Sequence, residues 1–400
     1  MAPYGKYALI PLFLALSAFG GYATLGALGK NGLGAVLRDV LTGSRSALVG
    51  APEPFKRSYT GISRVDRQLS TLVAFFSAAI DGDVPPENLL VFVWGMSQFA
   101  AGWTLMLLES LRAGNSGRVV SYAPILGFFM QNLTWTVSLP IWLVLHLLTS
   151  PVAKLQSADG ATAKKALEPR NPWDAALIPI SVVLAFVVPT VMMKVPGLSA
   201  SAHYTWHAIW QVFPLWNALL LPLLRLGQNR TPGPGNKTPG PSSVYKFALL
   251  LAAVGHLPIA VLSVLPGPLR SLLAAHAPAL LRPFVERGTL ANIFVPPSWP
   301  LSAHQFSVDP TAYTSLERSH LATQFLQYDI YVGAVPFLLW ALYLHRTAAK
   351  SAGLVDALAG AGFWFAVGGP HAAVAALLWN RDNDVLESGD GATKEEKKKN

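Results

Sequence analysis

The 400-residue chain has no cysteine and little charge. Asp, Glu, Lys and Arg together make up 13% of it, about half the share found in soluble domains. Without cysteine there is no disulfide, no thiolate nucleophile and no cysteine-ligated zinc. With so few charges, a chain of this length cannot cover a water-facing surface. A hydrophobic content of 52% and a mean hydropathy of +0.40 point the same way. Glycine loops of the GxxxxGKS/T or GxGxxG type, set between a strand and a helix, are missing. So is a serine nucleophile elbow. The aspartate clusters DDxxD and DxDD, which hold magnesium for diphosphate ionisation, are missing too. Nucleotide binding and ionisation of a diphosphate therefore lack their residues, and the reading predicts no cofactor and no metal. The formal charge of +9 fits Lys and Arg gathered in cytoplasmic loops of a membrane protein. It does not call for nucleic acid as a partner.

What the chain does have is long apolar runs. Spans of about 20 residues fall at roughly 7–28, 88–110, 121–148, 175–196, 204–226, 244–266, 325–345 and 353–379. Gln68 to Ile80 is a shorter apolar stretch, a minimal span or a re-entrant helix. The expected fold is an all-α, polytopic integral membrane protein with eight or nine transmembrane helices. The first span reads as a retained helix rather than a cleaved signal. Residues 1–380 read as one helical domain, with 267–323 as an extramembrane cap and 381–400 as a charged disordered tail. Residues 227–243 read as a Pro/Gly-rich connector. On a nine-span count, the Lys and Arg bias places the tail in the cytosol and the N-terminus in the lumen. The lysines of the tail suit residence in the endoplasmic reticulum. No inverted repeat of the kind common in transporters is visible.

An ionisable group inside a span is costly and marks a candidate site. Glu109 shares a helical face with Gln98 and Gly102, and Arg112 lies one turn on, placed to pair with it. Such a pair could equally be a helix anchor. Asp329 sits one turn into its span on the face of Phe325, Pro336 and Trp340, with Gln324 and Tyr328 beside it. The competing reading is a carboxylate favoured by a helix N-terminus. Asp81, after the apolar run bearing Phe75 and Phe76, is a third acid candidate. Asp83 reads as a turn residue, and Asp66 and Asp174 as structural carboxylates at helix starts.

Aromatic stripes accompany these acids. His203, His207, Trp210, Pro214 and Asn217 fall on one stripe, with Trp206 alongside. His203 and His207 at i, i+4 suit a metal, but no third ligand is apparent, and hydrogen-bonded histidines in an aromatic belt are the plainer reading. Gln131, Trp135, Ser138 and Trp142 form a second stripe, with Asn132 adjacent. Desolvated aromatic faces stabilise cations by about 0.5–2 kcal/mol each. An apolar chamber with such walls and one acid, shielded from water so that it keeps its proton, is suited to carbocation chemistry. Packing or lipid-facing tryptophans would produce the same stripes.

Four segments, FFSAAIDG (75–82), WTLMLLESLRAGN (103–115), LHLLTSP (145–151) and FLQYD (325–329), resemble a group of fungal polytopic membrane proteins of secondary-metabolite clusters. The group includes membrane-bound terpene cyclases of meroterpenoid pathways, of the ascofuranone and macrophorin type. The resemblance runs from about Tyr59 to Trp379. It implies cyclisation of a farnesyl-type chain on an aromatic or quinone head group, triggered by protonation of a terminal epoxide or olefin. Glu109, Asp329 and Asp81 all lie in the resembling segments. The expectation is that Glu109 or Asp329 donates the proton and that Trp135, Trp206, Trp210 and Trp340 stabilise cations. A second carboxylate or water then removes the final proton. Gln131, Asn132, His207, Tyr328 and Arg112 are the further candidate substrate contacts. The partners implied are a hydrophobic prenylated small molecule, membrane lipid and other enzymes of the pathway. A transporter of the same metabolite and a non-catalytic membrane scaffold are the alternatives.

Overall fold

The computed structural model describes residues 5–156, 160–228, 240–299, 309, 312–348 and 353–399, with side chains of the last segment described to 386. Among these residues every regular element is helical. The major helices are α1 (Gly5–Lys30), α2 (Leu33–Thr42), α3 (Ser63–Ile80), α4 (Pro86–Leu111), α5 (Ala123–Leu133), α6 (Trp135–Thr149) and α7 (Asp174–Met192). They continue with α8 (Ala200–Gln211), α9 (Phe213–Leu226), α10 (Pro241–Ser263), α11 (Gly267–His276), α12 (Ser315–Ala348) and α13 (Leu354–Lys399).

Six of these, α1, α4, α7, α10, α12 and the Leu354–Leu386 part of α13, are long and apolar enough to cross a bilayer. The α8–α9 pair, bent by 72°, makes a seventh if it counts as one broken span. The described residues thus carry six or seven candidate spans where eight or nine are expected, for two reasons. The run at 121–148 is not one helix. It breaks at Thr134 into α5 and α6, of 11 and 15 residues, each short of the length a bilayer needs. The run at 68–80 belongs to α3, whose first turns carry Arg64, Asp66, Arg67 and Gln68 and give it an amphipathic character.

Helix α4 lies at the centre, with 78% of its apolar window buried against other helices. It packs on α10, α12 and α13. Proline at the first turn starts α4, α9 and α10, where its missing N–H costs nothing. Gly127 lets α5 lie directly on α9, since a Cβ there would sit 2.2 Å from Pro214. The outer faces of α9 and α10 present Leu219, Leu223, Leu250 and Val254, as a lipid-facing surface requires. Helix α13 kinks at Gly369, whose φ of 77° places it in the left-handed region, and Pro370 follows. Beyond the kink the chain turns back into protein. Arg381, Asp382 and Val385 are buried, so residue 381 is not the start of a solvated tail. Two charges in an apolar sequence look like a chain end until their partners on other helices are known.

The expected cap at 267–323 contains α11 and the short helices Arg282–Arg287 and Leu290–Phe294. Arg270 of α11 ties it to the end of α10 and to the Arg282–Arg287 helix through the carbonyls of Leu262, Val285 and Gly288. Arg287 reaches α4 at Glu87, donating at 2.7 Å. Residues 300–308 and 310–311 of this cap, and 229–239 of the expected connector, lie outside the described residues.

Candidate active site

Between α3, the α5–α6 break, the α8–α9 bend and α12 lies a cavity of about 190 Å³. Its walls are aromatic. Phe76 of α3 meets Trp210 of α8 at a ring distance of 4.6 Å, and Phe186 of α7 meets the same indole at 5.2 Å. Phe75 packs on Phe325 at 4.7 Å, and Phe99 on Trp135 at 5.9 Å. All of these rings line the space. Among the described residues, Asp329 is the one carboxylate in that lining.

The break between α5 and α6 places Asp329. Thr134 stands at φ 74°, ψ 161°, a region that is nearly exclusive to glycine and costs about 1–3 kcal/mol for other residues. The turn it makes exposes the first N–H groups of α6. Thr136 N–H donates to Asp329 Oδ1 at 2.8 Å, so a carboxylate from α12 caps the start of α6, where helix dipole and unpaired donors favour it. No ion pair touches Asp329 among the described residues. The Thr134 hydroxyl is buried beside it.

Of the residues singled out from sequence, Asp329, Trp135, Trp210, Gln131 and Asn132 come together at this cavity. Others do not. Trp340 is fully buried, stacked on Phe337, and donates to His146 Nδ1 at 3.2 Å. Tyr328 donates to the Ser298 carbonyl at 3.0 Å. Trp206 is half-buried and outside the lining.

Glu109 and Arg112 belong to a different assembly at the C-terminal end of α4. Glu109 pairs with Arg112 Nε at 2.9 Å and accepts from Arg381 Nη2 at 2.8 Å. Asp382 closes the ring, accepting from Arg112 Nη2 at 2.8 Å, Arg381 Nε at 2.9 Å and the Tyr245 hydroxyl at 2.9 Å. Two carboxylates and two guanidiniums balance, each at most 2% exposed. The pairing expected between Glu109 and Arg112 is present. It serves to join α4, α10 and α13, and it stands apart from the cavity lining.

Asp81 forms a third group. Its Oδ2 lies 3.0 Å from His203 Nε2. With His207 next to them, three ligand-type atoms fall within 4.8 Å of one another. Asp81 is thus the third donor that the sequence alone did not supply for the histidine pair. The donor set is one that zinc accepts. The charge around it is less suitable, because Lys194 donates to the Ile80 carbonyl at 2.8 Å and Arg318 to the Asp81 carbonyl at 2.9 Å. Both cations already serve the C-terminus of α3. Burial works to raise the Asp81 carboxyl, but the His203 hydrogen bond and the neighbouring histidines outweigh it and hold it below its usual value.

Residues 8–386 match the CtvD domain. The chain belongs to the CtvD domain family. It is 26% identical over 389 residues to the terpene cyclase ascI of Acremonium egyptiacum, covering 94% of this chain and 89% of the relative. It is 25% identical to the terpene cyclase ctvD of Aspergillus terreus, with 83% and 87% covered, and 24% identical to the terpene cyclase penA of Penicillium crustosum, with 74% of each covered. No solved structure matches the chain.

In this CtvD-family chain, sequence reasoning missed Phe99 and Phe186 of the cavity wall, because single phenylalanines in apolar helices carry no pattern, and it named Phe76 only on the run leading to Asp81. It missed Thr134, whose backbone conformation nothing in its side chain signals. It missed Arg381 and Asp382 as well, since opposite charges directly after an apolar run look alike in sequence whether they are solvated or paired.

Proposed function

We propose that the chain is a membrane terpene cyclase that closes rings in a farnesyl-type prenylated substrate, an isomerisation with no change in mass. The observation that carries this reading is the aromatic cavity with Asp329 as its one described carboxylate. The relatives named terpene cyclases support the reaction class. Asp329 donates its proton to a terminal epoxide oxygen or olefin carbon. The C–O or C=C bond opens toward the remaining chain, and each new cation is attacked by the next double bond. Charge left on the carboxylate is shared with the Thr136 N–H at the start of α6. Indole and phenyl faces of Trp135, Trp210 and Phe76 stabilise the migrating cation. The final proton returns to the Asp329 carboxylate, directly or through water, and restores the acid.

A lipid-soluble substrate fits an enzyme with six or seven candidate spans. The membrane of the endoplasmic reticulum and contacts with other enzymes of the same pathway complete the proposal. Microsomes containing this protein alone, given a terminally epoxidised farnesylated phenol, should produce a cyclic isomer. Asp329→Asn keeps an oxygen for Thr136 N–H but cannot donate the acid proton, and should lose about 100- to 10,000-fold of the rate. No isomer across epoxidised and plain prenylated phenols would sink the reading and favour transport or scaffolding.

A further inference from the structure

A second cavity of about 540 Å³ adjoins the first and shares Gln68, Leu72, Gln131 and Asn132 with it. At the boundary, Gln68 Nε2 of α3 donates to Asn132 Oδ1 of α5 at 2.7 Å. This amide pair forms a collar between an inner, aromatic chamber and an outer one. The outer rim carries Phe128, Leu215 and Val65, which are 62%, 50% and 42% exposed, so it opens among apolar side chains. Two of its polar residues lack an evident structural task. Gln211 is 2% exposed, and neither its Oε1 nor its Nε2 has a hydrogen-bond partner. A buried amide left unpaired on both atoms is costly, and a ligand in this cavity would satisfy it. Arg64, exposed at the rim, makes no ion pair among the described residues.

We infer that the outer cavity is the subsite for the polar end of the substrate. Gln211 hydrogen-bonds a hydroxyl or carbonyl there, and Arg64 favours an acidic group at the rim. The isoprenoid chain passes the Gln68–Asn132 collar and presents its far end to Asp329. The inference rests on the cyclase reading for the identity of the ligand, but its test does not need turnover. It also explains how a long apolar molecule is held in one direction. Beyond the amides it shares with the outer cavity, the inner chamber has only Thr71, Thr134 and Asp329 as polar residues among rings and aliphatic side chains, so the polar end is read outside it.

The test is equilibrium binding of two radiolabelled probes to purified full-length protein in detergent: a farnesylated phenol, and the same chain ending in a methyl group. Gln211→Leu should weaken the phenol-ended probe about tenfold, the loss expected of one hydrogen bond, and leave the methyl-ended probe unchanged. Arg64→Gln, on an exposed side chain, should weaken a third probe, a carboxylated farnesylated phenol, and spare the plain phenol. In cyclisation assays the Gln211→Leu loss should appear in KM and not in kcat. Equal weakening of both probes, or of neither, overturns the subsite; the first outcome means a packing defect and the second an outer cavity filled by lipid. If the probes bind as described but wild-type protein forms no isomer, the subsite stands and the cyclase reading fails.

Discussion

Glu109 is one of the two acids that the sequence nominates as proton donor, and the cavity leaves it out, so Glu109→Gln separates the two possibilities. In the buried ring, Glu109 and Asp382 carry two negative charges against Arg112 and Arg381. Neutralising Glu109 leaves one uncompensated positive charge among side chains that are at most 2% exposed. Breaking such a pair from one side costs about 3–5 kcal/mol. Glutamine retains an oxygen for Arg381 Nη2, so the lower end, about 3 kcal/mol, applies; that is roughly a hundredfold in the folded-to-unfolded ratio. The double variant Glu109→Gln/Arg381→Gln restores neutrality and should recover at least about 1 kcal/mol in a double-mutant cycle. Thermal unfolding in detergent, followed by fluorescence-detected gel filtration, measures the stabilities. Cyclisation per folded molecule, taken well below the melting point, measures the chemistry. The expected result is a lower melting temperature with an unchanged rate per folded molecule. A Glu109→Gln protein that melts like wild type and yet loses about a hundredfold in rate would refute the assignment and make Glu109 the acid.

Three further outcomes follow from the same geometry. Trp210→Leu should reduce kcat by about 2- to 30-fold, the equivalent of one cation–π contact of 0.5–2 kcal/mol, and product analysis should show earlier termination of the cascade; an unchanged rate and product would remove Trp210 from the reaction. Thr134→Gly should be at least as stable as wild type in the same melting assay, because relief of about 1–3 kcal/mol of backbone strain exceeds the about 0.5–1 kcal/mol entropy cost of glycine; clear destabilisation would contradict the strained turn. Asp66 tests a pH effect. Burial alone would raise its carboxyl, but the Thr60 N–H and hydroxyl, the Ser58 hydroxyl and the Tyr59 N–H outweigh it and hold it below the usual carboxylate range. A depressed folded value means stability that is full above the unfolded value near about 4 and is lost as pH falls through the folded one. Asp66→Asn should therefore be less stable at neutral pH and show a flatter loss in acid; parallel acid curves for variant and wild type would exclude the effect.

The sequence by itself determined the class of the molecule. Low charge and long apolar runs leave an all-helical membrane protein, since lipid forces backbone groups to pair within a segment. It also nominated Asp329, Trp135, Trp210, Gln131 and Asn132, because residues three, four and seven apart share a helical face. Periodicity, however, is a property of one helix. It cannot tell which faces meet, so Glu109 and Asp329 looked alike as acids one turn from a span end. Only the tertiary structure joined the expected Glu109–Arg112 pair to Arg381, 272 residues from Glu109, and placed Asp329 in a space walled by rings from other helices. The described residues carry fewer candidate spans than expected for a related reason. The break at Thr134 is stabilised by Asp329, 193 residues on from Thr136, and a helix end held by a partner so distant along the chain leaves no local signal.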